Sequence, residues 1–164
     1  MNSYSGSRWI RLLSRSFLRP KNMRPFQHII EFQLEFLQRR FDSLLLASPL
    51  AFSQMTPSKI PDRSGVYLIT AALSGREDPY YVGRTKNLRR RLYNNHLMGP
   101  FSNARLKNCL VSTRECEDIA AAKGFLKSCC SVRWIEQAGH RERGAIEGYA
   151  TALLFPKHGI YEEH

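Results

Sequence analysis

The segment Gly65-Val66-Tyr67, followed by Tyr81-Val82-Gly83 and then by Asn87-Leu88-Arg89-Arg90-Arg91-Leu92, constrains the fold more than any other part of the chain. Val66 and Leu68 alternate with Tyr67 and Ile69, the period-two pattern of a strand over Gly65 to Ala71. Tyr80 to Thr85 reads as a second strand, and Ser74-Gly75-Arg76-Glu77-Asp78-Pro79 between them is turn material, so the pair forms a hairpin. Asn87 is a favourable N-cap for a helix from Leu88 to about Leu97, which Gly99-Pro100 ends.

Around this unit the pattern is mixed. From Phe26 to Ala47 the apolar positions Ile30, Leu34, Leu37, Phe41 and Leu44 recur at helical spacing, giving a long amphipathic helix. Residues 48 to 63, with Pro49, Pro57 and Pro61, read as a linker. Leu106 to Val111 fits either helix or strand. Glu117 to Lys127 reads as helix, Ser131 to Glu136 as a third strand, and Glu142 to Leu154 as a final helix before Pro156. With 164 residues, 43% of them hydrophobic, the chain can bury one ordinary core and carry an extra helix. No apolar run reaches the eighteen residues of a membrane-spanning helix.

The net charge of +11 is unevenly spread. Residues 79 to 114 hold eight Lys/Arg and no acid, and residues 1 to 30 hold six and no acid. Such blocks attract polyanions, either nucleic acid or an anionic membrane surface. In residues 1 to 22, Trp9, Ile10, Leu13 and Phe17 share one side of a helical wheel opposite Arg8, Arg11, Arg15 and Arg19. That pattern fits a simple basic tail, a surface-binding helix, or a transit-peptide-like leader. The compartment expected is cytoplasmic, or an organelle if the leader reading holds. Cys109, Cys116, Cys129 and Cys130 lack Cys-x-x-Cys spacing, which argues against zinc and for reduced thiols.

On a hairpin, Tyr67 and Tyr81 can lie across from each other. Leu88 and Leu92 mark the buried side of the next helix, so Arg91 lies at the edge of that side and Arg90 points to solvent. Cleaving a phosphodiester needs an aligned water, an acceptor for its proton, positive charge on the transition state, and help for the leaving oxygen. A guanidinium fork matches two phosphate oxygens, and a carboxylate can hold a divalent cation. A tyrosine is a poor base at its ordinary pKa near ~10, but a neighbouring arginine and a metal favour the phenolate.

These residues, with Gly83-Arg84-Thr85-Lys86-Asn87 between them, resemble the GIY-YIG nuclease superfamily over about residues 64 to 158. The resemblance implies an α+β fold, a small three-stranded antiparallel sheet flanked by helices. It implies a domain at 64–158, preceded by the basic tail 1–22 and a helix and linker at 23–63, and followed by a tail at 159–164. The implied activity is that of a DNA endonuclease dependent on Mg²⁺ or Mn²⁺, of the kind found in DNA repair or restriction. RNA is an alternative substrate, and the assembly is a monomer or homodimer. By position, Tyr67 is the general base or water-orienting group, Tyr81 supports water and phosphate, Arg91 stabilises the phosphate, and Glu147 on the final helix binds the metal. Glu136 and Glu142 are weaker metal candidates. Arg84, Lys86, Asn87, Arg89, Arg90, Arg105 and Lys107 are the nucleic-acid contacts. Many members carry a histidine one helical turn after the arginine. Here that place holds Asn95, and His96 comes one residue later, a turn of about 100° in an α-helix that directs it away. His96 is still the fourth catalytic candidate. The asparagine that often follows a proline near the end is missing from Pro156-Lys157-His158-Gly159, leaving His158 as substitute or the site impaired. The rival reading is therefore a binding module that has lost cleavage.

Overall fold

The computed structural model describes residues 25–100 and 105–159. The elements in order are α1 (Gln27–Leu46), β1 (Leu50–Ala51), two single 3-10 turns, β2 (Gly65–Leu73), β3 (Arg76–Thr85), a π-helix (Arg90–Met98), α2 (Arg105–Ser112), α3 (Ile119–Cys129), β4 (Cys130–Glu136) and α4 (His140–Leu154). The basic pattern at 1–22 lies outside the described residues.

The sheet is antiparallel throughout, with strand order β1-β4-β2-β3. It has four strands, not the three expected. The extra one, β1, is two residues long and sits inside the segment read as linker, pairing Leu50 with Val132 and Ala51 with Ser131. Two residues following a proline carry no periodicity, so no pattern announces such a strand.

Central strand β2 is buried on both faces for its first seven residues, which explains its near-continuous apolar sequence Gly-Val-Tyr-Leu-Ile-Thr-Ala. Val66 and Leu68 face one layer with Val82, Ile135, Phe41, Leu44, Ile146 and Ala150, so α1 and α4 cover that side. Tyr67, Ile69 and Ala71 face the other with Leu88, Leu92, Leu106, Leu110 and Leu126, covered by the π-helix, α2 and α3. Only the C-terminal half of α1 is used for this packing: Phe41 and Leu44 are buried, whereas Ile30 and Leu34 are exposed.

The hairpin between β2 and β3 is tighter than its sequence suggests. Leu73 pairs with Arg76, leaving Ser74 and Gly75 as a two-residue turn with φ of 52° and 79°. Positive φ at both central positions is what a type I′ turn demands, and its twist matches that of the strands. Further along, the register shifts so that Ile69 pairs with Tyr81 but Thr70 with Pro79, making Tyr80 an extra, bulged residue. The bulge sends both Tyr80 and Tyr81 into the same core layer.

The chain after α4 then lies along β3. Lys157 and His158 donate their backbone N–H groups to Pro79 and Tyr80 carbonyls at 3.0 and 2.9 Å. Glu115 secures the contact, accepting from Lys157 Nζ at 2.7 Å with His158 Nε2 at 2.9 Å. Part of an otherwise open sheet edge is thereby covered. None of the described helices is long and apolar enough to cross a membrane.

Candidate active site

A cleft of about 600 Å³ opens beside β3, lined among others by Tyr67, Tyr81, Arg84, Arg91, Arg105 and Glu147. Four elements deliver these groups: the hairpin, the π-helix, α2 through Arg105, and α4. The tyrosines are diagonal neighbours, not the directly opposed pair expected, because Tyr67 pairs with Gly83 and Tyr81 with Ile69. Their rings stack with centroids 6.1 Å apart at 22°. The glycine opposite Tyr67 is required. A Cβ at Gly83 would lie 2.5 Å from the Tyr67 hydroxyl and 2.8 Å from the Tyr81 ring, so only a bare backbone leaves the rings room.

Arg91 donates from Nε to the Tyr67 hydroxyl at 3.1 Å and also bonds Tyr81. His96 lies on the other side of Tyr67, with Nε2 at 3.0 Å from the same hydroxyl, and its ring meets both tyrosines edge-on. The expectation that His96 turns away is thus corrected, and the cause is the winding. Residues 90–98 form a π-helix, in which each hydrogen bond spans five residues instead of four. Arg91 and His96 are five apart, so the wider turn stacks them on one face. The start of this helix is pinned by Asn87, whose side-chain oxygen accepts from Arg90 N–H at 2.8 Å.

Electrostatics follow from burial. The Tyr67 phenol is driven well above its ordinary pKa by desolvation, with Tyr81 adding to the effect and Arg91 opposing it. In the resting site the phenol is protonated, so burial outweighs the arginine that was expected to favour phenolate. Burial, reinforced by the charges of Arg91 and Lys107, depresses His96 to about 3, so its imidazole is neutral. His96 Nδ1 finds no partner among the described residues.

Glu147 reaches the cleft because Ile146 and Ala150 on α4 are buried and turn the adjacent position toward β3. Its Oε2 accepts from Arg84 Nε at 2.9 Å. Burial holds its carboxyl above the ordinary value in spite of Arg84, Arg105 and Arg91. Thr151 and Phe155, four and eight residues on, line the same cleft, and neither drew notice in the sequence. Helical spacing from Glu147 is the signal that finds them.

The other candidates are dispersed. Arg84, Lys86, Arg90 and Arg105 are exposed. Asn87 bonds Asp62 besides capping the helix, and Arg89 Nε donates to the Ile60 carbonyl at 3.0 Å, so these two brace the chain before β2. Lys107 is a correction: it is 1% exposed and donates to the Gly99 carbonyl at 2.6 Å, capping the end of the π-helix. A lysine so placed cannot reach a phosphate. His158 belongs to the Tyr80–Glu115 contact and does not line the cleft. Glu136 and Glu142 also lie outside it.

Against this geometry, residues 63–128 match the family model of the GIY-YIG catalytic domain. Over that stretch the chain is similar to the GIY-YIG catalytic domain. No curated protein and no solved structure matches it. GIY-YIG domains are nuclease domains, their substrate is nucleic acid, and they generally depend on a divalent metal. The matched span ends before α4, so Glu147 lies beyond it. Among the described residues no three His, Cys, Asp or Glu side chains gather as a metal cluster. Glu147, half-buried and opening on the cleft with Arg91, is the carboxylate among the described cleft residues that could hold a divalent cation. Mg²⁺ keeps much of its water and is commonly held by one or two carboxylates plus substrate phosphate.

Proposed function

We propose that the protein is a divalent-metal-dependent endonuclease that hydrolyses DNA phosphodiester bonds, with the nuclease unit at residues 64–158. The observation that carries the reading is the Tyr67 hydroxyl held between Arg91 Nε and His96 Nε2, in a cleft shared with Glu147. The arrangement favours retained cleavage over a module that only binds.

Exposed Arg84, Lys86, Arg90 and Arg105 hold the nucleic-acid backbone, and Arg91 takes the scissile phosphate. Burial is the main cause of the depressed His96 basicity and Arg91 the second; the phosphate's charge offsets the Arg91 part and so raises the basicity of the imidazole. Water attacks phosphorus and gives its proton to Tyr67 as the phenol proton passes to His96 Nε2. Tyr81 keeps the water and phosphate aligned. Glu147 would hold the divalent cation, which supplies charge to stabilise the leaving oxygen as its bond to phosphorus breaks. One such site cuts one strand, so a monomer nicks and a double-strand cut takes two copies or rebinding.

A supercoiled plasmid tests the proposal. With Mg²⁺ or Mn²⁺ the parent protein nicks it, chelator stops the reaction, and Tyr67→Phe, Arg91→Ala and Glu147→Ala each slow it strongly. A parent that leaves the plasmid intact, or three variants as active as the parent, rejects the reading.

A further inference from the structure

Phe155 is placed as no residue serving packing alone needs to be. It closes α4 with φ 43° and ψ 58°, the left-handed region in which helix ends usually carry glycine. A bulky side chain there is strained, and such strain persists where the surroundings or a function hold it. The ring gains little packing in return, since Phe155 is 75% exposed. Its exposed face lines the cleft that holds Tyr67, Arg91 and Glu147.

We infer that Phe155 is a base-stacking residue, receiving a nucleobase that has left its helix next to the scissile phosphate. The inference rests on the nuclease reading and deepens it by naming a substrate class: nucleic acid with an unpaired or unstacked nucleotide at the cut. Three points carry it. An aromatic face open to solvent is what single-stranded nucleic acid stacks on, and the stacking tolerates any base. Arg84 and Arg105 line the same cleft and supply the positive charge that tracks the backbone on either side of that base. The cleft, at about 600 Å³, lies in the ~300–1,000 Å³ range that encloses one small ligand, so it has room for a single unstacked nucleotide beside the ring. A base inside a duplex already stacks on its neighbours and cannot cover the ring. Glycine at 155 would relax the backbone but remove the platform.

The experiment measures binding without cutting, in chelator, using single-stranded and matched duplex DNA oligonucleotides with 2-aminopurine scanned along one strand. The parent quenches 2-aminopurine at one position and favours the single strand over the duplex. Phe155→Ala abolishes the quenching, weakens single-strand binding by about 5- to 150-fold, and narrows the preference. Phe155→Gly does the same while melting about 2–4 °C higher than the parent, because the left-handed strain is gone. If both variants bind and quench like the parent, the stacking role is wrong, even though plasmid nicking still depends on Arg91. If the parent neither binds nor nicks, the nuclease reading itself falls, and this inference with it.

Discussion

Arg84 Nε sits 2.9 Å from Glu147 Oε2, so the only carboxylate among the described cleft residues is engaged by an arginine. On the proposed mechanism, a cation at Glu147 would compete with that guanidinium for the carboxylate, whereas a phosphate would draw Arg84 away and release it. The account therefore predicts that nucleic acid and metal each strengthen the other's binding. Arg84→Ala is expected to bind Mn²⁺ more tightly than the parent in the absence of DNA, read by electron paramagnetic resonance. The same variant's DNA affinity falls, with a salt slope shallower by about 1. Mn²⁺ affinity no higher than the parent's counts against the coupling.

The His96–Tyr67 contact gives a catalytic and a stability prediction. On the proposed mechanism His96→Ala removes the proton acceptor behind Tyr67, so cleavage is expected to slow by at least about 100-fold while DNA affinity in chelator stays within a few-fold. For stability, the folded His96 has a pKa of about 3 against 6.5 when unfolded. Between those values the unfolded chain binds the extra proton, so stability present above pH 6.5 is lost as the pH falls toward 3. Melting followed over this range should show a shallower acid loss for His96→Gln than for the parent. Parallel curves would remove His96 from that role.

Gly83→Ala tests the cradle under the tyrosines. Its new Cβ would lie 2.5 Å from the Tyr67 hydroxyl and must displace the ring. The expected destabilisation is about 1–3 kcal/mol, with cleavage down by about 100-fold, since a displacement of ~1 Å in a reacting group is enough for that. Thermal melting and single-turnover rates measure the two effects. A variant that cuts at the parental rate would show that Tyr67 does not need its position.

Lys107 and Arg90 separate buried from exposed charge. Arg90 is exposed, and Arg90→Ala should flatten the salt dependence of DNA binding by about 1 in slope. Lys107→Met should leave that slope unchanged and lower the melting temperature, because the Gly99 carbonyl loses its donor. A salt slope altered by Lys107→Met would restore this lysine as a phosphate contact.

Much of the hairpin and its helix could be read in the chain, since alternation across Val66–Ile69 and the capping Asn87 act over a few residues. The approach of Arg91 to Tyr67 was legible for the same reason: one strand, one turn and one helix face determine it. What escaped were features set by tertiary context. The π winding that returns His96 to the site differs from an α-helix by one residue per hydrogen-bonded turn, and no side-chain pattern marks the switch. The bulge that puts Tyr80 and Tyr81 on one side breaks the alternation on which strand faces are read. Lys107 looked like its basic neighbours because burial of a lysine depends on a distant carbonyl, and the two-residue β1 exists only through its partner β4.

The account stands most directly on single-turnover cleavage of an end-labelled DNA with Mn²⁺, alongside fluorescence anisotropy of the same DNA in chelator. Parent, Arg91→Ala and Glu147→Ala are compared. The parent should cut, and each variant should cut at least about 100-fold more slowly, Glu147→Ala binding within a few-fold of the parent. Cutting by Glu147→Ala or Arg91→Ala at the parental rate, or no cutting by the parent, contradicts it.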